Sequence, residues 1–191
     1  MARERKFSKD ELYQLTKELL LHHGYEGFSF SLLADHLDVS RGAIYKYYKN
    51  KDELITDFML HEMNQFLVEL RKIEQYSGFD AQFDYLLEII LRKTEIHQLI
   101  GMSAQIPTEV NENVKRNKLE LDKLHLDMYR YLQSFIQLGK DESRLKPHIA
   151  NGLMLGFIFQ SVAIPNHFGI PHSEWVQSIK EIISHGMFVS K

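Results

Sequence analysis

Between Phe28 and Leu54 the chain reads F-S-F-S-L-L-A-D-H-L-D-V-S-R-G-A-I-Y-K-Y-Y-K-N-K-D-E-L, and few folds accept that order of residues. Leu33, Ala34 and Leu37 mark the apolar side of one short helix, Asp38-Val39-Ser40 form a three-residue turn, and Arg41 to Tyr47 form a second helix that is basic and aromatic. Two short helices joined by so tight a turn form a helix-turn-helix, whose second helix can enter a DNA major groove. Ala34 is small enough for a close crossing, while Leu33, Val39 and Ile44 supply apolar filling between the two helices. Gly42 lets the second helix approach either its partner or a DNA backbone.

The remaining pattern is helical and strand-like alternation is scarce. Leu12, Leu15, Leu19 and Leu20 recur at helical spacing after a Ser8/Glu11 capping box, with Phe7 placed to staple on Leu12, and Gly24 ends that helix. Ser29 is placed to cap the helix before the turn. Asn50, with Glu53 three residues on, caps a long helix whose apolar face runs from Leu54 to Leu70 and on towards Tyr76. Beyond Gly78, helices are predicted over Phe79–Leu91, near Ile96–Met102, and from Pro107-Thr108 to Leu138. The last of these has Asn117 in one slot of its apolar stripe. Gly139 to Lys146 reads as a polar loop, Pro147 as the start of an uncharged helix ending near Ile164, and Ser173 as the cap of a final helix to about Val189. The expectation is nine helices and no sheet.

Composition narrows the function. The 191 residues include no cysteine, which excludes disulfides, zinc-thiolate sites and thiol nucleophiles and fits a reducing cytoplasm. The first ten residues lack the apolar core of a secretory signal. No Asp, Glu, Lys or Arg occurs from Pro147 to Ser173, but Asn151, Gln160, Pro165 and His167 interrupt the run, so a buried soluble helix is expected there and no membrane span. The net charge of -3 divides unevenly. Residues 1–51 carry 9 Lys/Arg against 7 Asp/Glu, and residues 52–191 carry 14 against 19, so the N-terminal part alone favours phosphate contact. Among the ten histidines, His22-His23 and His167/His172 show no metal-ligand spacing, so neither metal nor cofactor is expected. No P-loop, dinucleotide fingerprint, nucleophile elbow or zincin motif is present, and no enzyme is expected.

The expected DNA contacts follow from position. Arg41, Ala43, Lys46 and Tyr47 fall on or near the outward side of the second helix, where such helices reach base edges. Tyr45, Lys49 and Lys51 suit phosphate contact, and Ser29 and Ser40, at the starts of the two helices, complete the set. The amino end of the helix after Asn50 adds backbone donors and a positive dipole. Tyr48 reads as a core aromatic.

Residues 8 to 58 resemble the DNA-binding domain of the tetracycline-repressor (TetR) family of bacterial regulators. The matching residues are Gly24, Ser29, Ala34, Val39-Ser40, Gly42, Tyr45, Lys51 and Leu54, and Y-x-Y-Y-x-x-K-x-x-L here parallels the family's Y-x-x-F-x-x-K-x-x-L. Two residues depart from the pattern. Asp38 stands where glycine is usual, at a position that calls for a left-handed backbone. Tyr48 replaces Phe, adding a hydroxyl that needs a partner if buried. The resemblance implies an all-α chain with a three-helix DNA-binding domain over residues 1–50 and a helical effector-binding and dimerisation domain over residues 51–191. It further implies a homodimer through the last two helices, a palindromic double-stranded operator and a small-molecule effector.

The residues speak to these implications separately. Leu153, Leu155, Phe157, Ile158, Phe159 and Val162 surround the penultimate helix, so more than one face needs cover, and Gly152 and Gly156 would permit close helix approach. Trp175, Ile179, Ile182 and Ile183 stripe the final helix. For the effector, Phe83, Leu87, Ile90, Met102, Met128, Tyr131, Leu132, Phe135, Met154 and Phe157, with Tyr85, are the candidate lining, and their character suits a flat or flexible apolar molecule. The reading is therefore a DNA-binding regulator, repressing by default. The rivals are an architectural DNA binder without effector and an activator of the same fold.

Overall fold

The computed structural model describes residues 7–109 and 111–189. Arg3, Arg5 and Lys6, which contribute to the charge of residues 1–51, lie outside this range, as do six of the ten residues read for a secretory signal. The described residues form α1 (Lys9–Gly27), α2 (Phe30–His36), α3 (Arg41–Tyr45), α4 (Lys51–Leu70), α5 (Phe79–Arg92), α6 (Thr94–Gly101), α7 (Glu112–Tyr131), α8 (Gln133–Asp141), α9 (Asn151–Gln160) and α10 (His172–Met187). Short 3-10 turns follow α4, α6 and α9. Among the described residues the extended pairing is confined to a bridge between Leu145 and Phe188. The all-helical expectation holds. The seventh predicted helix is divided into α7 and α8 at buried Leu132, where the Gln133 side chain bonds the Tyr129 carbonyl and the Ser134 hydroxyl bonds that of Tyr131. Side chains competing for helix carbonyls bend helices.

The chain forms two compact units. One holds the residues up to Met63 with Gln98–Asp122; the other holds Asn64–His97 with the residues from Lys123 onward. In the first, Ser8 accepts from the Glu11 amide while Glu11 reaches back to Ser8, so the capping box is present, and buried Phe7 precedes it. Gly24 has φ of 66° and interrupts α1, after which one more turn runs to Gly27. Its core is Leu12, Leu19, Leu20, Phe28, Phe30, Leu33 and Ile44 against Leu54, Ile55, Phe58 and Met59 of α4. The turn between α2 and α3 places Asp38 at φ of 51°, the left-handed backbone that its usual glycine would adopt without strain. Asn117, the polar residue in the apolar stripe of α7, is buried and donates to the Thr56 hydroxyl at 3.2 Å.

Three predicted starts shift. α7 begins at Glu112, because the Asn111 carboxamide caps it by accepting from the Val114 amide, and Pro107-Thr108 lie in the preceding turn. α9 begins at Asn151, four residues after Pro147. Ser173 lies inside α10, whose flanking residue is Pro171.

The second unit is built around rings. Phe79 stacks on Phe83 and Phe135 at 5.8 and 5.0 Å, and Phe188 meets Phe79 and Phe83 edge-on. Phe188 is held there by the pairing of Lys146 with Met187 and of Val189 with Arg144. Gly139, expected in a loop, is buried within α8. A methyl at its Cα would sit 2.6 Å from the Phe79 ring and 2.8 Å from Leu145, so glycine is required by close approach. Leu86, Ile90, Leu132, Ile136, Met154, Leu155 and Ile158 continue the core.

Two substitutions follow from these backbones. Gly139→Ala should lose about 1–3 kcal/mol in urea denaturation, because overpacking the Phe79 contact outweighs alanine's better helix propensity. At the turn, Asp38→Gly should hold or raise stability, while Asp38→Val should lose about 1–2 kcal/mol by placing a β-branched residue in the left-handed region. Equal stability for these two variants would contradict the turn geometry.

Candidate nucleic-acid interface

α3 is short because its inward side needs only Ile44, which is fully buried; Arg41, Gly42, Tyr45, Lys46 and Tyr47 are exposed and Ala43 is half-buried. Beside Gly42, a side-chain carbon would meet only the Ser40 hydroxyl at 3.9 Å, so the space that this glycine keeps open is not filled by α2. Two aromatic side chains combine anchorage with exposure. Tyr45 packs edge-on against buried Phe30 at 5.0 Å, and Tyr47 does the same against buried Phe7 at 5.8 Å, yet they remain 48% and 42% exposed. The Arg41 guanidinium lies 5.9 Å from the Tyr45 ring centre, which limits where its fork can point. The structure thus brings Ser40, Arg41, Ala43, Tyr45, Lys46 and Tyr47 onto one short segment. Ser29 stands apart as the cap of α2, its hydroxyl accepting from the Leu32 amide. Lys49 is exposed, and its backbone amide donates to the Glu53 carboxylate.

Lys51 also has partners within the head. Its ammonium donates to the carbonyls of Tyr25 at 2.8 Å and Phe28 at 3.4 Å and lies 4.1 Å from the Tyr25 ring centre. These are carbonyls at the end of α1, where a cation also meets the negative end of the helix dipole. The side chain therefore joins α1 to α4.

The start of α4 is dense with such bonds. The Asn50 carboxamide accepts from the Glu53 amide, and Glu53 accepts from Asn113. Asp52 accepts from the Tyr25 hydroxyl at 2.8 Å; burial, then this bond, push that hydroxyl up to about 12. Asp57 accepts from Tyr13 at 2.6 Å and from Tyr48 at 2.8 Å, with Lys9 at 3.5 Å. Burial alone would raise the Asp57 carboxyl, but the two hydroxyls and Lys9 outweigh it and hold it below the usual carboxylate range. The Tyr48 hydroxyl, which distinguishes this chain from the usual Phe, thus has its partner, and the residue is half-buried as a core aromatic.

The expected ligand lining is only partly gathered. Phe83, Leu87, Ile90, Met128, Leu132, Phe135 and Met154 are buried in the second unit, with Phe83 and Phe135 filled by the phenylalanine stack. Tyr131, Leu132 and Phe135 line a cleft of about 140 Å³ with Ile73, Glu74 and Gln82, and the Tyr131 hydroxyl donates to Glu74 at 2.9 Å. Met102 belongs to the other unit. Phe157 is corrected: it is 64% exposed on α9, so it is a surface residue and no lining. A group missed in the sequence is His97, whose Nε2 is buried with no hydrogen-bond partner. Its position between Ile96 and Leu99 was the available signal, but the histidines were weighed only as metal ligands. Among the described residues no three His, Asp or Glu side chains cluster as a metal site. No helix among them is long and apolar enough to cross a membrane.

Residues 8–57 match the model of the tetR family of bacterial regulatory proteins. The transcriptional repressor AcnR of Corynebacterium jeikeium is 28% identical over 119 residues, which are 62% of this chain and 59% of that protein. More generally, the matched part spans about half the length of the curated relatives. Among solved structures, the ketosteroid transcriptional regulator KstR2 of Mycobacterium tuberculosis covers 100% of this chain and 98% of its own, with a TM-score of 0.76 at 14% identity. The regulator FadR of Bacillus subtilis, solved in complex with stearoyl-CoA, covers 94% and 99% with a TM-score of 0.66 at 18% identity. The helix-turn-helix head is thus similar to that of the tetR family of bacterial regulatory proteins, and the chain as a whole shares its fold with solved transcriptional regulators.

Proposed function

We propose that the chain is a cytoplasmic transcriptional regulator that binds a palindromic operator as a homodimer and is released from it by a small apolar effector. Residues 1–50 read DNA, and residues 51–191 bind the effector and the second copy. The observation that carries the DNA reading is the exposed Arg41–Tyr47 segment, whose aromatic side chains are braced from within by Phe30 and Phe7. Such bracing lowers the entropy lost when the side chains meet a groove.

The dimer reading has its own support. On α9, Met154, Leu155, Ile158 and Phe159 are buried, while Leu153 and Phe157, four residues apart, are 55% and 64% exposed. On α10, Ile179 and Ile183 are buried but Ile182 is 73% exposed. Beyond the helix's own backbone, no described residue lies within 4 Å of where side chains at Gly152 and Gly156 would begin. Large apolar side chains left bare on two adjoining helices fit a self-complementary interface, and two-fold symmetry is what a palindrome requires. Repression is the favoured sign, since AcnR is a repressor. An apolar effector fits the acyl chain of the stearoyl-CoA bound by one structural relative. The effector would act by favouring a head spacing that mismatches successive grooves, so that its binding opposes DNA binding.

Footprinting on the DNA upstream of the chain's own gene, followed by titrations at several salt concentrations, tests this. Arg41→Ala should alter base preference at one position per half-site by about 1–3 kcal/mol; Lys46→Ala and Lys49→Ala should weaken all sequences and lower the salt slope by about one each. Lys51→Ala should instead lower the melting temperature of the head. Phe157→Glu should sediment as a monomer and lose operator binding. If Arg41→Ala leaves both affinity and base preference unchanged, the α3 assignment fails.

A further inference from the structure

Rings from two other helices meet one imidazole in the second unit. His97 of α6 lies 5.9 Å, ring to ring, from Phe66 of α4 and 6.0 Å from Phe159 of α9. Tyr129 of α7 closes the group, 5.5 Å from Phe159 and stacked 5.2 Å from His125. Within this setting Nε2 is shut off from solvent and has no hydrogen-bond partner, the sole side-chain nitrogen or oxygen among the described residues to be so placed. A buried polar atom left unpaired is costly, and the chain could have placed a leucine or phenylalanine here at no such cost. The atom is explained if its partner arrives from outside.

The surroundings define that partner. The neighbours are rings, which suit a flat apolar body. Burial, and secondarily His125, push the His97 imidazole down to about 4, so it is neutral at physiological pH and offers no charge to a carboxylate. A neutral imidazole nitrogen either accepts or donates according to its tautomer, and a hydroxyl answers both. Resting on the effector-responsive reading above and sharpening it, we propose that His97 Nε2 is the polar reading point for an uncharged, flat, apolar ligand bearing a hydroxyl, seated against Phe66, Tyr129 and Phe159.

The test compares 2-naphthol, naphthalene and 2-naphthoate by calorimetric titration of the full chain, with His97→Phe and His97→Gln alongside. The native chain should bind 2-naphthol at least about tenfold more tightly than naphthalene or 2-naphthoate. His97→Phe should bring the naphthol-to-naphthalene ratio near one while its melting temperature holds or rises, since an unpaired polar group has been removed. His97→Gln, which keeps a hydrogen-bonding group, should retain part of the preference. Should His97→Phe not fold, His97→Leu serves in its place. Equal binding of the three compounds, no binding of any, tighter binding of 2-naphthoate, or an undiminished preference in the apolar variant would each overturn the assignment. Operator footprinting on the same samples separates the two levels: DNA protection without hydroxyl preference removes only the role of His97, whereas no DNA protection removes the regulator reading with it.

Discussion

Five side chains on the first two turns of α4 hold the reading head in register. Lys51 ties the end of α1, Asp52 ties Tyr25, Glu53 ties the Lys49 amide and Asn113, Thr56 ties Asn117, and Asp57 ties Tyr13 and Tyr48. Each bond is worth only about a kilocalorie net, and those to charged groups somewhat more. Their effect lies in number and placement. They fix the chain on both sides of Arg41–Tyr47, at α1 behind it and at Tyr48 and Lys49 just after it. α3 spans only five residues and has one fully buried side chain, so it could not hold its own orientation. The precision with which Arg41 and Tyr45 are presented is therefore a property of α4.

Two of the ties, Asn113 to Glu53 and Asn117 to Thr56, come from α7, whose later residues belong to the second unit. Buried polar pairs have strict geometry, so they respond to a small shift by breaking, where an apolar contact would slide. Asn117 costs α7 part of its apolar stripe, and the cost is intelligible if the residue keeps α7 and α4 in one relative register within the first unit.

Legibility from the sequence followed the range of the interactions. The caps at Ser8, Ser29 and Asn50, the turn at Asp38 and the outward side of α3 are set by residues within four positions of one another, and all were readable. The structural bonds of Lys51 were not legible, because its partners, the carbonyls of Tyr25 and Phe28, lie more than twenty positions away and carry no side-chain signature. Gly139 was misread for a similar reason, since the Phe79 ring that demands it is sixty residues upstream. Phe157 shows the limit of composition: an all-apolar helix announces that two faces need cover, but only the packing shows which face the chain itself covers.

His97 and Asp57 show how differently part-buried ionisable groups are treated in one chain. Asp57 is charged, and two hydroxyls and an ammonium satisfy it, so its contribution to stability is present above the unfolded carboxyl range and is lost as acid protonates it. His97 is neutral and held near 4 by burial, so the unfolded chain takes up its proton first as pH falls below about 6.5. Its contribution too is present at neutral pH and disappears on acidification through that window. The signs agree, but the causes do not. Asp57 gains from partners that fold supplies, whereas His97 only avoids a charge and remains without a partner at Nε2. In a domain whose whole stability is of order 10 kcal/mol, an unpaired buried nitrogen costing about 1–3 is a substantial concession. The first group is spent on holding a structure; the second leaves a bond still to be made.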